Sequence, residues 1–120
     1  MDKETSIHQL KEVVNTFVHA REWRQFHTPK DLASALHIET SELAQHFLWK
    51  TESEIKDILN NPKKREQISE ELADILYLLL NFSDEYKFDL ATALNEKIKK
   101  NEAKYPTETS RGSSRKYNEK

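Results

Sequence analysis

At 120 residues the chain is the size of one domain, and its 36% hydrophobic content allows only a modest core, of the kind that association with copies of the same chain often completes. A net charge of −2 gives no general attraction to nucleic acid polymers or acidic membranes, and the absence of cysteine excludes disulfides and thiolate metal sites and suits a cytoplasmic setting. One glycine and three prolines leave little tight-turn chemistry, which argues for long helices over sheets. Residues 1–15 are charged throughout, unlike a signal peptide, and the longest apolar run, Ile75 to Leu80, is too short to span a bilayer.

In chain order, a first helix starts near Ser6, with Gln9 as capping-box partner, and runs to about Arg24. Ile7, Leu10, Val14 and Phe17 recur in it at helical spacing. His27-Thr28-Pro29 breaks it. Thr28 is the next N-cap, Pro29 the first helical residue, and Asp31 lies in the first turn. The second helix carries Leu32, Ala35, Leu36, Leu43 and Phe47 on one stripe. Ser53 to Leu59 form a short helix that ends at Asn60-Asn61-Pro62.

A long helix then spans roughly residues 62–86. Ile68, Leu72, Ile75, Leu79, Phe82 and Tyr86 line its main face. Leu76, Leu78 and Leu80 wrap much of the rest, so the helix is expected to be central and covered on several sides. Asp89 caps a last helix through about Tyr105, with Leu90, Leu94 and Ile98 inward. From Pro106 the composition turns polar, as in a disordered tail. The expected division is a helical domain over 1–105 and a polar tail over 106–120.

Two acid pairs stand out against this frame. Glu39 and Glu42 lie on the second helix, Glu71 and Asp74 on the long one. A spacing of three puts each pair about 60° apart on one helical face. Glu39 falls inside the apolar stripe, between Ala35 and Leu43, and Glu42 on its flank. A buried carboxylate without a partner costs several kcal/mol, so the pairs predict a divalent cation. Oxygen-only ligands point to Mg²⁺ or Mn²⁺. Di-iron bundles use Glu-x-x-His pairs, and none of the five histidines has a glutamate three residues before it. His46 falls near the Glu39/Glu42 face, where it supports or packs beside the acids. There is no Gly-x-x-x-x-Gly-Lys loop, so phosphoryl or nucleotidyl hydrolysis would proceed without a P-loop.

The pattern Glu-x-x-Glu followed by Glu-x-x-Asp on a later helix resembles the all-α nucleoside triphosphate pyrophosphohydrolases, the MazG-like group. Arg21-Glu22-Trp23-Arg24-Gln25-Phe26-His27 and the stretch from Glu42 to Trp49 resemble two tryptophan segments of its dCTP pyrophosphatase branch. Lys97, Asn101 and Lys104-Tyr105-Pro106 resemble the end of its last core helix, and Ser110-Arg111-Gly112-Ser113 with Lys116-Tyr117 its tail.

The resemblance implies a four-helix-type bundle, assembled as a dimer or a dimer of dimers, with neighbouring subunits completing each base pocket. It implies Mg²⁺-dependent cleavage of a nucleoside triphosphate, such as dCTP or a modified dCTP, to a monophosphate and pyrophosphate in nucleotide pool cleansing. Glu39, Glu42, Glu71 and Asp74 would hold the metal and serve catalysis. Trp23, Trp49 and His27 would form the base pocket; Lys97, Asn101, Arg111 and Lys116 would hold sugar or phosphates. The sequence departs from the pattern at Leu78, where many members carry tyrosine; Tyr77 is one position off, about 100° away on the helix. The rival readings are an all-α dUTP/dUDP hydrolase and a helical interaction module that binds nucleotide or metal without cleaving.

Overall fold

The computed structural model describes residues 1–116 and 118, and among these there are helices and no strands. Residues 1–87 form one compact unit and residues 88–120 a second. In the first unit, α1 spans Ile7–Ala20, a 3-10 turn spans Arg24–Phe26, α2 spans Pro29–Gln45, α3 spans Glu52–Asn60 and α4 spans Pro62–Glu85. The second unit holds α5, Leu90–Lys104, and a short α6, Thr107–Ser110.

Most helix starts follow the local sequence rules. Ser6 and Gln9 form a capping box on α1, and Thr51 and Glu54 form another on α3. Thr28, Asn61 and Asp89 cap α2, α4 and α5 through their side chains, with proline in the first turn of α2 and α4. The stops are less conventional. Glu22, Trp49 and Lys87 take positive φ angles of 53°, 63° and 63°, where helices usually recruit glycine. α1 therefore ends at Ala20, short of the expected Arg24. The polar segment after Pro106 carries the four-residue α6 in place of a continuous coil.

In the first unit α4 packs against α1, α2 and α3. The core comprises Val14 and Val18 of α1, Leu32 of α2, and Ile68, Leu78 and Leu80 of α4. Each such side chain contributes roughly 1.5–3 kcal/mol on burial. The long helix is not covered all round in a single chain: Leu72 and Leu76 are 52% and 44% exposed, and Leu79 is also exposed. Within the second unit Leu94 and Ile98 are likewise exposed, against the inward placement expected from their spacing. Periodicity identifies which face of a helix is apolar, and this chain alone does not supply enough surface to cover those faces. Among the described residues no helix is long and apolar enough to cross a membrane.

A polar network ties the segment after α1 to the C-terminal half of α4. Asn81 is 2% exposed, and its amide nitrogen lies 3.0 Å from His27 Nδ1. The Tyr86 hydroxyl donates to the His27 carbonyl at 2.7 Å. Arg24 binds Asp84 and Glu85 on α4 and Asn15 on α1. Burial, and then the nearby Arg24 charge, hold His27 below the usual imidazole range, which keeps Nδ1 free to accept from Asn81. Replacing Asn81 with leucine removes that donor from a part-buried acceptor, and is expected to destabilise the protein by about 1–3 kcal/mol in denaturant melts. An unchanged midpoint would show that the network does not secure this segment.

Candidate active site

The acid pairs meet where α2 packs on α4. One carboxylate oxygen each from Glu39, Glu42 and Glu71 lies within 4.8 Å of the other two. Glu39 Oε2 and Glu71 Oε2 are buried and have no hydrogen-bond partner. Burial first, then a hydrogen bond and repulsion from Glu42, then repulsion from Asp74 and Glu71, push the Glu39 carboxyl up to about 7. Asp74 therefore acts on the cluster electrostatically, but it lies outside the close group of three and is itself exposed. His46 Nε2 stands 3.7 Å from Glu71 Oε1, beside the acids as its spacing indicated.

Like charges at this separation, with two buried oxygens unpartnered, match the donor set of a hard divalent cation. Glu39, Glu42 and Glu71 would hold it, with Asp74 nearby. Thiolate and di-histidine chemistry have no donors in this group.

The carboxylates contribute walls to two clefts. One, of about 470 Å³, is lined by Val13, Phe17, Trp23, Ala73, Asp74 and Tyr77. Phe17 meets Trp23 and Tyr77 edge-on, with ring centroids 5.6 and 6.0 Å away. The Arg21 guanidinium covers Phe17 at 3.9 Å from the ring centroid. The other cleft, of about 580 Å³, is polar and is lined by Glu42, Gln45, His46, Lys50, Lys64 and Glu71.

The residues expected to bind substrate divide accordingly. Trp23 lines the aromatic cleft at 40% exposure. His27 stands behind it, 6.5 Å between ring centroids, with Nδ1 committed to Asn81. Trp49 is 91% exposed at the turn after α2, so one chain does not close both tryptophans around one pocket. Lys97 and Asn101 lie on α5, and Arg111 and Lys116 follow α6, all in the second unit. Tyr117 lies outside the described residues.

Phe17, Lys50, Lys64 and Asn81 were not singled out from the sequence as site residues. Helical spacing held a signal for one of them: Lys64 precedes Glu71 by two turns and shares its face. Leu78, the departure from the family pattern, is buried in the core, while Tyr77 reaches the aromatic cleft.

Fold and site together define an all-helical protein whose carboxylates converge beside a polar cleft into a group that could hold a divalent cation, with an aromatic cleft lined by Asp74. The chain belongs to the MazG-like family, whose sequence pattern it matches over residues 35–119. It is similar to human dCTP pyrophosphatase 1, with 36% identity over 116 residues, 97% of this chain and 68% of the human protein. The rat dCTP pyrophosphatase 1 is also 36% identical, over 95% of this chain and 67% of its own length. Among solved structures, a pyrophosphatase from Archaeoglobus fulgidus superposes with a TM-score of 0.77 at 34% identity, covering 83% of this chain and 92% of that one.

The raised Glu39 carboxyl has a definite sign. A proton bound more tightly in the folded state stabilises the protein below about pH 4.5, and this contribution is lost as pH rises through about 7. Metal-free protein is therefore expected to melt progressively lower across that window, and a divalent cation added above pH 7 to restore the melting temperature. Glu39→Gln should flatten the Glu39-dependent part of the pH slope and remove most of the cation rescue. Equal rescue of wild type and variant in thermal melts would exclude Glu39 from the cation seat.

Proposed function

We propose that the chain is a nucleoside triphosphate pyrophosphohydrolase, converting a triphosphate and water to a monophosphate and pyrophosphate, with dCTP or a base-modified dCTP as substrate and Mg²⁺ as cofactor. The observation that carries this reading is the close group of Glu39, Glu42 and Glu71, two of which line a polar cleft bearing lysines, while Asp74, one turn from Glu71, lines an aromatic cleft. Family membership and the resemblance to dCTP pyrophosphatases support it. A base held in the aromatic cleft and outer phosphates in the polar one would bring the bond between the α- and β-phosphates to the acids.

A bound cation would supply charge neutralisation for the phosphate oxygens there. Phe17 and Trp23 hold the base by its faces and edges. A carboxylate of Glu39, Glu42, Glu71 or Asp74 takes the proton of the attacking water. The water oxygen bonds to the α-phosphorus, the bond to the bridging oxygen breaks, and pyrophosphate leaves. Lys97, Asn101, Arg111 and Lys116 add sugar or phosphate contacts in this reading. Residues 1–105 form the catalytic domain and 106–120 a tail that meets phosphate. A cytoplasmic role in cleansing the nucleotide pool goes with that substrate class.

The reading also includes self-association as a dimer or tetramer. The exposed stripe of Leu72, Leu76 and Leu79 on α4 and the exposed Trp49 support it, since contiguous apolar surface of this kind usually meets a partner. In the assembly, Trp49 of one subunit would complete the base pocket of its neighbour. Sedimentation should show a dimer or tetramer at micromolar concentration; Leu76→Glu should shift it toward monomer. A wild-type protein that sediments as a monomer would remove this part of the reading.

The activity test is the product. With Mg²⁺ and a panel of nucleotides, pyrophosphate and the monophosphate are expected, with dCTP ahead of dUTP and dUDP. Glu39→Gln and Asp74→Asn should each lower turnover by about 10²-fold or more while circular dichroism stays helical. Release of orthophosphate instead, or wild-type turnover in both variants, would refute the assignment. Preference for dUTP or dUDP would select the related all-α hydrolase.

A further inference from the structure

Beyond the acids, the polar cleft contains positive charge that the proposed reaction has not yet used. Lys50 and Lys64 line it together with Glu42, His46 and Glu71. They arrive from different elements. Lys64 sits in the first turn of α4, whose start Asn61 caps by accepting from the Lys64 backbone N–H at 3.0 Å. Lys50 follows the left-handed turn at Trp49, with its own N–H bonded to the Phe47 carbonyl.

The simplest account of two lysines near three carboxylates is mutual neutralisation. Among the described residues, however, neither lysine forms an ion pair with Glu42 or Glu71. Lys50 instead lies close enough to Glu54, on α3, to help hold that carboxyl low, behind the Thr51 hydrogen bonds. The acids are thus left for a cation and the lysines for another anion.

Charge balance identifies that anion. Three ionised carboxylates more than offset the two positive charges of one divalent cation, so a triphosphate end with about three negative charges needs further counter-charge. Lysine supplies it as a point charge on a flexible stem, suited to phosphate oxygens that move apart during reaction. The cleft volume of about 580 Å³ falls within the usual range for small-ligand sites, about 300–1,000 Å³.

We propose that Lys50 and Lys64 seat the two outer phosphates, and hence the departing pyrophosphate, in the polar cleft, which Trp23 does not line. This rests on the pyrophosphohydrolase reading and adds the direction in which substrate lies and the place where the leaving group is held. Both lysines are exposed, so their substitution should leave the fold intact.

The test is calorimetric binding of inorganic pyrophosphate and, separately, of dCMP to the full chain in Mg²⁺. The double variant Lys50→Gln/Lys64→Gln is expected to weaken pyrophosphate binding at least tenfold while dCMP binding stays within twofold. Lys64→Arg should retain most of the pyrophosphate affinity. Unchanged pyrophosphate binding in the double variant overturns the proposal, as does equal weakening of both ligands. A wild-type chain that turns over triphosphates but does not bind pyrophosphate overturns it while leaving the functional reading intact. Lysine-dependent pyrophosphate binding in a chain that releases only orthophosphate supports the seat and sinks the functional reading alone.

Discussion

The structure of the site depends on one repulsion. Packing α2 against α4 brings Glu39, Glu42 and Glu71 together, with Asp74 close enough to act on Glu39. Apolar contacts between the helices force the approach, and the carboxylates resist it. A protein without use for the cluster would place smaller or apolar side chains at that seam, because replacing buried charge by well-packed hydrophobic residues is often neutral or stabilising. The unpartnered oxygens of Glu39 and Glu71 mark the unresolved part of this conflict. A proton or a cation settles it, and the two compete for the same oxygens.

The clefts follow from where the conflict sits. The acids occupy the helix seam, so each cleft gains part of its wall from α4. On one side α1 and the segment after it contribute Val13, Phe17 and Trp23; on the other, the end of α2 contributes Gln45 and His46 and the turn beyond it Lys50. Trp23 stands on a short stretch between two helices, where a side chain would normally be mobile. The buried Asn81, the Tyr86 hydroxyl and the Arg24 network fasten that stretch to α4. The helix that carries Glu71 and Asp74 thus also anchors the segment that carries the aromatic wall. Acid cluster and aromatic wall share one element, which is what a site needs if both ends of a substrate are to be held in register.

Much of this was legible in the sequence because it is local. Ser6, Thr28, Asn61 and Asp89 announce helix starts through cap chemistry that depends only on a few neighbouring residues. The acid pairs announce a carboxylate cluster because i,i+3 spacing fixes a common face. The helix stops were harder to place. With one glycine in the chain, Glu22, Trp49 and Lys87 take the left-handed conformation themselves, and nothing in their side chains advertises it. The exposure of Leu72, Leu76, Leu94 and Ile98 was not legible either, since periodicity reports an apolar face and not what covers it. Lys50 and Lys64 were missed for a third reason. They join the acids only across the fold, and Lys50 has no helical register to the motif.

The exchange at positions 77 and 78 bears on how the proposed site would choose a base. Neighbouring helical positions point about 100° apart, so moving tyrosine by one place normally changes what it faces. Here Leu78 takes the core position and Tyr77 the cleft, so the aromatic ring is kept where Phe17 and Trp23 already stand. If the cleft takes a base, as proposed, Phe17 and Trp23 bring faces and edges that accept any of them. In that reading, discrimination between cytosine and uracil would come from groups that distinguish an amino group from a carbonyl, because a site built to hydrogen-bond one of them leaves its polar atoms unpaired with the other. Among the described residues lining the cleft, Asp74 and Tyr77 bring the side-chain oxygens. Burial holds the Tyr77 phenol above its usual range, so it stays neutral and able to donate as well as accept, whereas an ionised carboxylate only accepts. In the proposed reading, the selectivity of the cleft therefore rests on a residue that is one place away from where the family pattern puts its tyrosine.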